Sequence, residues 1–158
     1  MNAGFAQVDI TPPIGTHKIG WLRDIVPTRV LDPLSARVAA FDDGATRVGL
    51  VQLDVLSIRW TTTERIRQAI ERHTGWPAGN IMVACTHNHG GPATANVGDV
   101  PRDDAYLGRL VDLCTGAFAE AVQSTTEVEL GVAHDHEFDV PHNRRVVRRD
   151  GPVQTHRG

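Results

Sequence analysis

Residues 46–92, TRVGLVQLDVLSIRWTTTERIRQAIERHTGWPAGNIMVACTHNHGGP, carry the pattern that decides the fold. Residues 46–55 are β-rich and nearly continuous in their apolar positions, which predicts a central strand covered on both faces. Thr61, Thr62, Thr63 and Glu64 then read as a threonine cap with an acidic first turn. Ile66, Ala69, Ile70 and His73 follow at the i, i+3, i+4, i+7 spacing of one helical face. Gly75 and Pro77 stop that helix. Residues 80–85 (NIMVAC) form a second short apolar run, again predicted as a buried strand, and residues 86–92 are the turn at its carboxyl end. Strand, helix, strand is the βαβ unit of an α/β sheet, in which ligands gather at the carboxyl ends of strands.

Working outward, residues 34–41 and 46–55 flank Asp42-Asp43-Gly44, an Asp-Gly corner that predicts a β-hairpin. Residues 4–10 (GFAQVDI) alternate apolar and polar as a strand does, and Pro12 and Pro13 end the run by removing backbone donors. Residues 16–33 hold no sustained period; Trp21, Leu22, Arg23, Asp24 and the Asp32-Pro33 pair mark a loop that carries specific contacts. Downstream, Asp103 or Asp104 caps a longer helix with Tyr106, Leu110, Cys114, Ala117 and Phe118 on one face. Residues 126–140 are strand-like, and an apolar-basic stretch follows. The expectation is one domain over residues 1–158: α/β, with a mixed β-sheet flanked by helices.

A chain of 158 residues, 41% hydrophobic and 22% charged, suits one core. A net charge of -3 argues against nucleic acid and anionic membrane surfaces as partners. The cluster Arg144, Arg145, Arg148 and Arg149 reads on its own as a solvated turn or strand edge. Cys85 and Cys114 share no CxxC spacing, so buried, reduced thiols are expected. No secretory signal and no membrane-length apolar run is visible. The chain as written is therefore expected in the cytoplasm, and outside the cell only if its true N-terminus is missing. Serine-nucleophile, Walker, dinucleotide and HExxH signatures are all missing, which removes those enzyme classes.

What remains is histidine chemistry. His87-Asn88-His89 presents both rings to one face if extended, and lets them diverge in a tight turn. Such a pair alone is more often structural than metal-binding, but this one follows a predicted buried strand and precedes Gly90-Gly91, where a ligand can approach the backbone. Asp54, near the end of the most apolar strand, is too costly to bury unpaired; it pairs with an arginine, caps backbone donors or orients a histidine rather than ligating a metal itself. His134-Asp135-His136 lies in acidic, polar surroundings that predict an exposed strand or loop. These residues outline a candidate metallohydrolase site with too few visible ligands.

Several stretches taken together, in order, resemble one family. VDITPPIG at 8–15, DPLSARVAAFDDG at 32–44, LVQLDVL at 50–56, ERIRQAI at 64–70, ACTHNHGGPAT at 84–94, HNRR at 142–145 and RRDG at 148–151 resemble the N-terminal catalytic domain of the neutral/alkaline non-lysosomal ceramidases. Asn88 replaces a threonine and Gly90 a serine of that family's histidine motif, while both histidines and the Gly-Pro remain. The resemblance implies a Zn²⁺-dependent hydrolase that cleaves the N-acyl amide bond of ceramide or a related lipid amide with metal-activated water. It implies that His87 is a zinc ligand and that His89 sits beside the metal, towards substrate or water. Asn143 and Arg144 fall on a later Asn-Arg motif, which implies a catalytic role for Arg144 in the polar network or at a substrate oxygen. Contact with a membrane would come through the lipid substrate alone, and the oligomeric state is left open. The family's remaining zinc ligands come from sequence beyond these residues. The alternative is accordingly a catalytically inactive fragment or interaction module that retains the fold.

Overall fold

The computed structural model describes residues 1–21, 23–140 and 145–155. The sheet is organised by the hairpin of β2 (Ser35–Asp42) and β3 (Arg47–Leu53). At its corner Gly44 takes φ 87°, Asp42 accepts from the Gly44 N–H, and Asp43 accepts from the N–H groups of Ala45 and Thr46. The aspartates thus supply acceptors that the tight corner lacks in its own backbone. β1 (Asn2–Asp9) lies antiparallel on the other side of β2.

A crossover through α1 (Trp60–Thr74) and a 3-10 turn (Ala78–Asn80) lays β4 (Ile81–Cys85) parallel to β3. After α2 (Asp104–Gln123), β5 (Thr126–Glu127) adds to the edge of β1 and completes the order β4-β3-β2-β1-β5. β6 (Arg145–Val147) and β7 (Val153–Thr155) form a separate hairpin. The architecture is the expected mixed sheet with helices. No helix among the described residues is long and apolar enough to cross a membrane.

The core lies between one face of this sheet and both helices. Val38, Val51, Leu53 and Ile81 from the strands meet Ile66 and Ile70 of α1 and Leu110 and Phe118 of α2, all buried. Each such side chain contributes about 1.5–3 kcal/mol by leaving water. A Cβ at Gly49 would stand 2.6 Å from the Phe118 ring, so a glycine there lets α2 seat this fully buried aromatic side chain on the sheet. Phe118 in turn meets Trp76 edge-on at 5.9 Å. Asp103 caps α2, its carboxylate accepting from the Tyr106 N–H at 2.9 Å, and the buried Tyr106 hydroxyl donates to the Ile10 carbonyl at 2.7 Å. That bond ties the helix to the end of β1. Cys85 shares the helix-covered face with Leu53 and packs on this core, where burial pushes its thiol pKa up against a weaker backbone contact from Ile58.

Three expectations are corrected. α1 starts at Trp60 with Arg59 as its cap residue and no side-chain cap bond: the Arg59 carbonyl, not a threonine hydroxyl, accepts from Thr62 and Thr63. β3 and β4 are buried on one face only, because both helices pack on the same side; Val48 stays 39% exposed and Met82 56%. Strand structure in residues 126–140 stops at Glu127. The register carries the chain past the start of β1, Val128 makes a last bond to the Met1 carbonyl, and residues 129–140 are exposed with no strand beside them.

Candidate functional site

The turn of residues 86–92 leaves β4 still tied to β3. Thr86 N–H donates to Leu53 O at 3.0 Å, and Asn88 N–H to Val55 O at 3.3 Å. Between them His87 adopts φ 64°, the one positive φ at a non-glycine among the described residues. A β-carbon costs about 1 kcal/mol or more in this region. The strained turn brings the His87 ring to the Leu56 carbonyl, with Nδ1 3.0 Å from that oxygen. His89 does the same on the other side, its Nδ1 2.9 Å from the Gly20 carbonyl.

A carbonyl oxygen only accepts, so Nδ1 of each ring is the donor, and in the neutral form of either ring the Nε2 lone pair is left free. The two rings meet edge to face with centroids 5.0 Å apart. The turn therefore keeps the imidazoles together, where a turn of this kind could have separated them. Anchoring of Nδ1 by a backbone carbonyl is the arrangement that fixes tautomer and orientation in metal-binding histidines.

The carbonyl that holds His89 comes from the loop between β1 and β2. Gly20 has φ 105°, and a Cβ there would stand 2.7 Å from His89 Nδ1. Only glycine allows this approach. Next to it the Trp21 indole N–H donates to the His89 carbonyl at 3.2 Å, and Lys18 Nζ lies 5.3 Å from the Trp21 ring centre. Ile19 N–H to Gly91 O and Ala93 N–H to His17 O lock the loop to the turn. Beneath them Ile19, Leu56, Ala93, Ala95 and Val100 form a second, small core. Trp21 marks this loop in the sequence as contact-bearing, whereas the roles of Gly20 and the Leu56 carbonyl emerge only in the fold; Gly20-Trp21 within an aperiodic loop is the signal the sequence offers.

Asp54 lies near the turn but is fully engaged elsewhere. Its carboxylate accepts from Ser35 N–H at 3.1 Å, from Arg37 Nη1 at 3.0 Å and from Gln52 Nε2 at 3.0 Å. Burial pushes its pKa up, yet the hydrogen bonds from Gln52, Ser35 and Arg37 outweigh that and hold it below the ordinary carboxylate value. It is an ion-paired structural carboxylate, with no hydrogen bond to either histidine. Beside it a cleft of about 340 Å³ runs from Asp54, Asn88 and Gly90 outward between Pro13, Ile14, Val30 and Leu31.

As a metal site the donor set is partial. His87 and His89 supply two oriented nitrogens, and a catalytic zinc centre uses about three protein ligands. Among the described residues no group of three or more His, Cys, Asp and Glu side chains is placed to share an ion. His134 and His136 stand with ring centres 6.0 Å apart in the exposed stretch and do not join the first pair. Asn143 and Arg144 lie outside the described residues.

No protein-family model matches the chain, and no curated protein does. Solved structures do. A neutral ceramidase from Pseudomonas aeruginosa superposes with a TM-score of 0.68 at 19% identity over 78% of this chain and 22% of its own. A ceramidase complexed with C2 gives a TM-score of 0.68 at 20% identity over 78% of this chain and 21% of its own. The chain therefore has the fold of one part of these ceramidases, and spans about a fifth of their length.

Proposed function

We propose that this chain is the histidine-bearing part of a ceramidase-like hydrolase of lipid amides, and that by itself it keeps the fold without completing the catalytic centre. The observation that carries this reading is the pair of imidazoles at the carboxyl end of β4, each fixed through Nδ1 and each offering Nε2 in the same direction of chemistry: metal ligation or contact with a reacting water. His87, held in a strained backbone conformation, is the proposed zinc ligand; His89 is the neighbour directed at substrate or water, and Arg144 is proposed to serve the polar network. Zn²⁺ at such a place would activate water and polarise an amide carbonyl. The cleft bordered by Asn88 and Gly90 is mixed, with Pro13, Ile14, Val30 and Leu31 beside Lys18, Arg29, Asp32 and Asp54, and is proposed to receive part of the substrate.

Two imidazoles hold zinc only weakly, and among the described residues no third His, Cys, Asp or Glu is placed to join them, which supports the inactive reading of the isolated chain. The test combines zinc titration with an assay for fatty-acid release from an N-acyl lipid. The expected result is weak zinc binding that His87→Ala abolishes, with no turnover. Turnover by the unaltered chain would overturn the incomplete-centre reading, and zinc binding indifferent to His87→Ala would overturn the proposed ligand.

A further inference from the structure

Between the end of β3 and the start of α1, the carbonyls of residues 55–57 are taken up one after another by the histidine turn and the loop behind it. Val55 O accepts from Asn88 N–H at 3.3 Å, Leu56 O accepts from His87 Nδ1 at 3.0 Å, and Ser57 O accepts from the Thr94 hydroxyl at 2.5 Å. The Leu56 carbonyl that fixes the His87 ring therefore has a restrained peptide on either side.

The restraint from Thr94 is a firm one. Thr94 has no exposed surface, so its hydroxyl has no bulk water to turn to. Its neighbour Ala93 is held at both ends, N–H donating to His17 O at 3.0 Å and O accepting from Asp103 N–H at 2.7 Å. Ala93 and Ala95 pack with Leu56 itself in the small core.

We infer that Thr94 is a positioning residue for His87: its hydroxyl pins the Ser57 peptide and, through it, the Leu56 carbonyl that selects the ring's Nδ1–H tautomer and its direction. Each residue keeps two soft backbone dihedrals, so releasing the Ser57 carbonyl frees the Leu56 peptide to rotate away from the ring. The positive φ of His87 likewise persists only while its surroundings over-determine it. His89 stands outside this chain of contacts, since its acceptor is the Gly20 carbonyl in another loop.

The inference takes its meaning for the site from the proposed role of His87, and the two fail separately. Zinc binding indifferent to His87→Ala removes the ligand and leaves the coupling to Thr94; a His87 ring that ignores Thr94 removes the coupling and leaves the ligand.

Long-range ¹H–¹⁵N NMR of the neutral imidazoles tests it on the unaltered chain, on Thr94→Val, which keeps the shape and removes the donor, and on Thr94→Ser, which keeps the donor. Circular dichroism checks folding. In Thr94→Val the ratio of Nδ1–H to Nε2–H tautomer at His87 is expected to fall about two- to tenfold, the range that one ordinary hydrogen bond commands. The ratio at His89 stays unchanged, and Thr94→Ser keeps the unaltered ratio at both rings. An unmoved His87 in Thr94→Val overturns the inference. So does an equal change at both rings, which marks general loosening, or a Thr94→Ser protein that behaves as Thr94→Val does. In the unaltered chain the Thr94 hydroxyl proton is expected to exchange slowly with solvent, and fast exchange overturns the inference whether or not Thr94→Val folds.

Discussion

Gly20→Ala separates backbone necessity from incidental loop structure. At φ 105° an alanine is strained by about 1–2 kcal/mol, and its Cβ would stand 2.7 Å from His89 Nδ1 and 2.8 Å from Cγ. Both cannot remain in place. Relief requires the His89 ring to move off, breaking its bond to the Gly20 carbonyl, a further loss of about 0.5–1.5 kcal/mol. The sum is about 1.5–3.5 kcal/mol, which for a chain of this size lowers Tm by about 3–14 °C. Thermal unfolding measures the global part. Fluorescence of Trp21, whose indole N–H donates to the His89 carbonyl, reports the local part against Trp60 and Trp76 as background. A Gly20→Ala protein with unchanged Tm and unchanged emission would refute the claim that this glycine is required to seat His89.

The remaining predictions concern the supports of the site. Asp54→Asn removes the charge that pairs with Arg37 and one of the two oxygens that accept from Ser35, Arg37 and Gln52, and is expected to cost about 1–3 kcal/mol in denaturant unfolding, the side chain being 17% exposed. Because the folded Asp54 carboxyl titrates below its unfolded value, its stabilisation is fully present above about pH 4 and disappears as pH falls through the folded value. The acid limb of the stability profile should therefore flatten in Asp54→Asn. Tyr106→Phe leaves the Ile10 carbonyl without its donor and is expected to cost about 1–2 kcal/mol by the same assay. Burial pushes the Cys114 thiol pKa up to about 12, so alkylation at pH 8 should reach it only after unfolding, read by mass spectrometry of the modified peptide.

The sequence made the hairpin, the βαβ unit and the capped α2 legible because each rests on local chemistry: an Asp-Gly corner, a helical stripe, an Asp at the cap position. Burial was less legible. An apolar run such as 46–55 looks the same whether one face or both are covered, and here both helices chose one side, leaving Val48 and Met82 in water. Residues 126–140 alternate as a strand should, but alternation supplies no partner, and only Thr126 and Glu127 found one in β1. At the site, the histidine pair and its place at a strand end were readable from spacing. Their tautomers were not, because those depend on the carbonyls of Leu56 and Gly20, which are 31 and 69 residues away in sequence.

We propose above that His87 and His89 present free Nε2 atoms to a metal ion. Long-range ¹H–¹⁵N NMR of the imidazoles, at a pH where they are neutral and then during zinc addition, tests it most directly. The expected result is the Nδ1–H tautomer for both rings and zinc-induced shifts at the Nε2 of His87 and His89, with His134 and His136 less affected. Nε2–H tautomers at the pair, or zinc taken up by His134 and His136 in preference, would contradict it.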